Sequence, residues 1–90
     1  MRGRVRQLLD LRSVGPATVA DLGLVGVRTV AALAREDPDT LFARLQGRVD
    51  YRLNPCTLDV LRCAIAQARD PGLPLEQCDW WVWTPRRKRP

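Results

Sequence analysis

The chain has 90 residues and a mass of 10.2 kDa, so one domain is expected, and a chain this size buries only roughly 60–65 % of its unfolded surface. That suffices for one core but not for a large pocket with a lid, which argues against an independent multi-step enzyme. Hydrophobic residues at 46 % and charged residues at 28 % exclude overall disorder, and the absence of histidine removes the commonest general base and the commonest metal ligand together.

The formal charge is +5, from 15 basic and 10 acidic residues. Arg2, Arg4 and Arg6 at one end, with Arg86, Arg87, Lys88 and Arg89 at the other, supply seven of those basic residues. The eight that remain between positions 7 and 85 face ten acidic ones. The excess positive charge therefore lies on two flanks, and the high isoelectric point is a weaker argument for nucleic acid than it looks. After the basic start, only Leu8 and Leu9 precede Asp10, too short an apolar stretch for a signal peptide. No run approaches a membrane span. With three cysteines and no secretory signal, the expectation is a reduced, cytoplasmic protein without a disulfide framework or membrane association.

In chain order, Val5, Leu8, Leu9 and Leu11 predict a short first helix with an apolar side. Val14-Gly15-Pro16 reads as a tight turn, and Pro16 suits the first position of a second helix that runs to about Leu22 and ends near Gly23 or Gly26. Thr29 is a candidate N-cap for a third, with Val30 and Leu33 inward. Asp37-Pro38 repeats the cap-plus-proline signal ahead of Leu41, Phe42 and Leu45, with Gly47 as the stop. Residues 47–54 form a loop. Pro55 then opens the longest helix, to about Arg69, with Leu58, Leu61, Ile65 and Ala68 as its buried stripe. Asp59 and Arg62 fall on the opposite side, close enough to pair. No strand of useful length is predicted. The fold class is all-α, with about five short helices over residues 1–84 and a basic tail at 85–90.

Two segments echo each other at an offset of 39 residues: Val14-Gly15-Pro16-Ala17-Thr18-Val19-Ala20-Asp21-Leu22 and Leu53-Asn54-Pro55-Cys56-Thr57-Leu58-Asp59-Val60-Leu61. Pro, Thr and the final Leu coincide, and Gly15 meets Asn54, both residue types that tolerate positive φ. The echo implies two equivalent helix–turn–helix units about a pseudo-twofold axis.

The first unit resembles a helix-hairpin-helix motif, with Leu8, Leu11, Val14, Gly15, Val19 and Leu22 at matching positions and Ser13 where the first glycine usually stands. Such a turn aims backbone N–H groups and the positive end of a helix dipole at one spot, which suits a phosphate oxygen. The donors would be the amides of Gly15, Ala17 and Thr18 with the Thr18 hydroxyl. Where many such hairpins carry lysine after the Gly-Pro pair, this chain has Ala17, which weakens phosphate affinity. The second turn has Arg48 and Arg52 nearby, but its longer loop departs from the motif, and a structural turn is the plainer reading.

Leu11–Thr18, Val27-Arg28-Thr29-Val30, Asp37-Pro38, Asn54–Asp59 with Arg62, and Asp79-Trp80-Trp81-Val82-Trp83 together resemble the bacterial pathogenicity-locus family, small proteins often labelled mitomycin resistance proteins. The first half is also similar to the C-terminal domain of TfoX-type competence regulators. The family resemblance implies a tandem helix-hairpin-helix fold and a DNA-binding role.

The expected function is thus a non-enzymatic, largely sequence-independent DNA-binding module, with Arg12, Ser13, Gly15, Ala17, Thr18, Arg48, Arg52, Asn54 and Thr57 at the contact. A protein-interaction adaptor or homodimer using the Trp-rich segment is the alternative. In that segment Trp81 and Trp83 would share a side, available for stacking on bases or for a partner; folding back onto the core is the plainer role for at least two of the three tryptophans. Cys56, Cys63 and Cys78 lack the two-residue gap of zinc sites and read as small buried thiols. No metal, cofactor or catalytic residue is expected.

Overall fold

The computed structural model describes residues 6–12 and 14–73. Ser13, Cys78, Trp81, Trp83 and the 85–90 tail lie outside the described residues, and so do the expectations attached to them. Among the described residues a 3-10 turn at Leu8–Asp10 is followed by four helices: α1 (Pro16–Leu24), α2 (Val30–Ala34), α3 (Pro38–Gln46) and α4 (Cys56–Arg69). Among the described residues there is no strand, so the all-α architecture stands.

The punctuation works as its chemistry dictates. The Thr29 side chain accepts from the Ala32 N–H at 3.0 Å and starts α2. Asp37 accepts from both the amide and the hydroxyl of Thr40, each at 3.0 Å, and starts α3 with Pro38 in its first turn. These bonds, the amide one foremost, hold the Asp37 carboxyl below its ordinary value of 3.8. Helix α1 runs through Gly23 and stops at Gly26, whose φ of +82° is the left-handed conformation that side chains resist. There the Val27 amide reaches back to the Leu22 carbonyl at 2.9 Å and the Gly26 amide to that of Gly23 at 3.2 Å, the two bonds of a Schellman stop. Val27 and Leu22, both buried, supply the apolar contact that accompanies such a stop.

The first expected helix shortens to the 3-10 turn. Leu8 and Leu11 enter the core, but Leu9 is 57 % exposed, because one turn cannot place three neighbouring leucines on one side. The core joins Leu22, Val27, Leu33, Leu41, Leu45 and Leu61 from all four helices and their links.

Helix α4 is the hub, packed on both α2 and α3. Its buried surface is broader than one stripe: Asp59, Leu61, Cys63, Ala64, Ile65, Gln67 and Ala68 are all buried, while Leu58 is only half-buried. The expected Asp59–Arg62 pair does not form. Asp59 is fully buried, and Arg62 instead reaches Asp39 on α3 at 3.3 Å. A helix in contact with neighbours on several sides has no solvated face at that position for the carboxylate to occupy.

Arginines close the helix ends. Arg69 donates to the carbonyls of Ala34, the last residue of α2, and Glu36, just past it, at 2.9 and 2.8 Å. Arg6 donates to Gln67 and Ala68 at the end of α4, at 3.0 and 3.2 Å. Arg44 joins the Val25 carbonyl at 2.6 Å to the Glu36 carboxylate at 2.8 Å. Last-turn carbonyls lack intrahelical donors, and a guanidinium supplies them with favourable dipole alignment. Part of the basic inventory is thereby committed to structure.

Candidate nucleic-acid interface

Residues separated by 39 positions share their burial. Val14 and Leu53 are buried, as are Leu22 and Leu61; Val19 and Leu58 are half-buried, as are Thr18 and Thr57; Pro16 and Pro55 are exposed. The one clear break is exposed Ala20 against buried Asp59. The related helix starts also meet: Thr18 and Asp21 of α1, with Thr57, Val60 and Leu61 of α4 and Leu45 of α3, line one small concavity of about 70 Å³. Thr18 and Thr57 are equivalent positions of the echo, and so are Asp21 and Val60. The two proline-led bends therefore bring their first helical turns together.

A glutamine pins the approach to each bend. Gln67 accepts from the Arg12 amide and donates to the Arg12 carbonyl, both at 2.8 Å. Gln46 accepts from the Leu53 amide at 2.9 Å and donates to the Tyr51 carbonyl at 2.6 Å. Sequence reasoning missed both. A lone glutamine gives no periodic signal; only the fold shows that it completes main-chain groups far away in the chain.

The bends differ in their free donors. At the first, Gly15 is the N-cap of α1, with no side chain to cap it and an extended backbone (φ −106°, ψ −178°). Its glycine is therefore not there to supply positive φ. The first bonded amide of α1 is that of Val19, to the Gly15 carbonyl at 3.0 Å. The amides of Gly15, Ala17 and Thr18 have no acceptor among the described residues. At the second, Asn54 closes two of the three equivalent amides: its side chain accepts from the Cys56 amide at 2.9 Å and its carbonyl from the Thr57 amide at 2.8 Å, while the Leu58 amide turns back to Pro55 at 3.1 Å. The Asn54 amide, like that of Gly15, has no acceptor among the described residues.

The expected basic contacts do not gather into one cluster. Arg12 is exposed, but its main chain is tied to Gln67, ten residues and so roughly 15 Å along α4 from Thr57. Arg48 and Arg52 are exposed in the loop before α4, where Arg52 borders a second groove with Phe42, Gln46, Leu53, Pro55 and Leu58. Asp21 brings a carboxylate to the Thr18–Thr57 concavity. Cys63 is buried as expected, whereas Cys56 is only half-buried at the start of α4. Among the described residues no three His, Cys, Asp or Glu side chains form a metal-binding group, and no helix is long and apolar enough to cross a membrane.

Comparison with known proteins bears on the whole chain. No solved structure matches it with significance. Over 82 residues it is 37 % identical to the mitomycin resistance protein McrB of Streptomyces lavendulae, an alignment that covers 91 % of this chain and 74 % of that protein. A family model described as Pathogenicity locus matches residues 1–89, nearly the full length. On that span and that identity, the chain belongs to the Pathogenicity locus family.

Proposed function

We propose that this domain is a non-enzymatic, helix-hairpin-helix DNA-binding module that holds a sugar-phosphate strand without reading its sequence, and that it works in the cytoplasm. The observation that supports this reading is the set of open amides at Gly15, Ala17 and Thr18, beside the Thr18 and Thr57 side chains. N–H groups at a helix start, reinforced by the helix dipole, suit a phosphate oxygen and carry no base information. Arg12, Arg48 and Arg52, all exposed, add attraction from flanking positions. The described concavities measure about 270, 70 and 280 Å³, below the roughly 300–1,000 Å³ of small-molecule sites, so a surface grip suits the molecule better than an enclosed substrate.

The test is fluorescence anisotropy with a labelled random-sequence duplex at low and physiological salt, comparing the wild type with Gly15→Asp. A Cβ at Gly15 meets nothing within 4 Å, and the extended backbone there accepts any residue, so the variant folds. Its carboxylate caps the open amides and repels phosphate. The expected result is wild-type binding that falls steeply with salt and a loss of about tenfold or more in the variant, since charge-assisted hydrogen bonds are removed. No wild-type binding at low salt, or equal binding by the variant, overturns the reading.

A further inference from the structure

We infer that the groove between α3 and the start of α4 receives a single unstacked base of a DNA strand, an inference that rests on the DNA-binding reading above. The groove measures about 270 Å³, and its described lining is Phe42, Gln46, Arg52, Leu53, Pro55 and Leu58. Its floor is largely apolar. The Gln46 amide is already engaged with the Tyr51 carbonyl and the Leu53 amide. Arg52 is the one charged residue of the described lining; it is exposed, and among the described residues its guanidinium makes no hydrogen bond or ion pair.

Neither of the other described concavities has this combination. The one at Thr18 and Thr57 is small and carries Asp21. The one along α4 is bordered by Arg62 and Arg69, but Arg62 is engaged by Asp39 and Arg69 by the Ala34 and Glu36 carbonyls. An apolar groove with one unengaged cation at its edge complements a flat apolar group that bears a negative charge, which describes a base on its phosphate. An acidic amphipathic peptide has similar chemistry, but position favours the base. Pro55, the N-cap of α4, and Leu58 in its first turn stand on either side of Thr57 in the chain, so a strand held at the Thr18–Thr57 concavity continues past that turn to the groove. A paired base is stacked and cannot enter. The occupant is therefore an unpaired base, in a single strand or a bulge, stacking in a sequence-tolerant way with Phe42 in the lining.

The experiment uses the full chain and three probes that carry 2-aminopurine at one position: a perfect duplex, the same strand alone, and a duplex with that base bulged out. Anisotropy reports affinity and 2-aminopurine emission reports the base's surroundings. The bulged and single-stranded probes are expected to bind about tenfold more tightly than the duplex, the scale of one base stacking contact, with an emission change on binding. Phe42→Ala removes the preference and leaves duplex affinity as it was. Because Phe42 also packs against the core, Leu58→Gln at a half-buried position repeats the test in a second background, with thermal melting as the check on folding. Equal affinities with unchanged emission overturn the base site alone. Failure of all three probes to bind overturns the DNA-binding reading with it. Tighter binding of a labelled Glu- and Phe-rich peptide than of any probe assigns the groove to protein and also overturns the inference.

Discussion

The two proline-led bends share a pattern and differ in their chemistry. Both feed a helix start, both have their approach pinned by a glutamine, and both bury the same apolar positions 39 residues apart. Yet the bend at Gly15 leaves the Ala17 and Thr18 amides without a described acceptor, while at Asn54 the equivalent Cys56 and Thr57 amides are bonded; the Gly15 and Asn54 amides are alike in having none. The closure at Cys56 traces to one side chain, and that at Thr57 to the Asn54 carbonyl. Asparagine carries an oxygen that caps a helix start, and glycine carries none. An internal repeat can thus keep its packing in both copies and leave more open donors in one.

The largest expected effects test the shared half of the comparison. Leu22 and Leu61 occupy equivalent positions and are essentially inaccessible. Leu22→Ala and Leu61→Ala should each cost about 2–5 kcal/mol in urea denaturation, by lost burial and the cavity left behind. Values in that range for both support equivalence of the units; a near-neutral effect at either breaks it.

The glutamine pins come next. Gln67→Leu strands the main-chain N–H and C=O of Arg12 beneath a buried side chain, and should cost ~1–3 kcal/mol. Gln46→Leu should cost less, because the groups it holds lie in the loop before α4, where Tyr51 is 57 % exposed and water can replace the amide. The same denaturation series measures both, and a larger loss at Gln46 would invert the expected order.

The differing half is sharpened by exchanging chemistry between the bends. Asn54→Ala removes the cap of the Cys56 amide and should lower stability by ~1 kcal/mol. Gly15→Ala, with open space around the new methyl group and no positive φ, should stay within about 0.5 kcal/mol. Ala17→Lys places a cation at the open bend, and should steepen the salt dependence of duplex binding by about one phosphate equivalent. Cys56→Lys at the closed bend should change that slope less. Equal slopes would show that closure of the amides is irrelevant to binding.

The smallest effect is one of pH. The Asp37 carboxyl is held below its ordinary value by its bonds to Thr40. A group whose folded value is depressed contributes stability above its unfolded value and loses it as pH falls through the folded one. Thermal melting should therefore show a mild loss attributable to Asp37 only below about pH 3.8, and Asp37→Asn, which still caps α3, should remove that share. Helix α1, capped by a glycine, has no counterpart to this titration.

Much of the fold was legible in the sequence because its signals are local. Thr29 and Asp37 announce helix starts through their own oxygens, Pro16 and Pro38 fit first turns, and Gly26 permits a left-handed stop. Leucine spacing marked the core, except at Leu9, where a helix too short to have faces replaced the expected one. The echo that relates Thr18 to Thr57 was also readable as a pattern of residue types.

What only the tertiary structure decided concerns groups whose partners are distant in the chain. Asp59 seemed solvated by helical spacing, but α4 packs on several sides and buries it. Arg62 chose Asp39 over its own helix, and Arg44 and Arg69 were drawn to carbonyls of other elements. Gln46 and Gln67 acquired their roles only when the bends came within reach. Periodicity encodes which side of a helix is apolar, whereas hydrogen-bond satisfaction is settled by geometry among residues far apart in sequence.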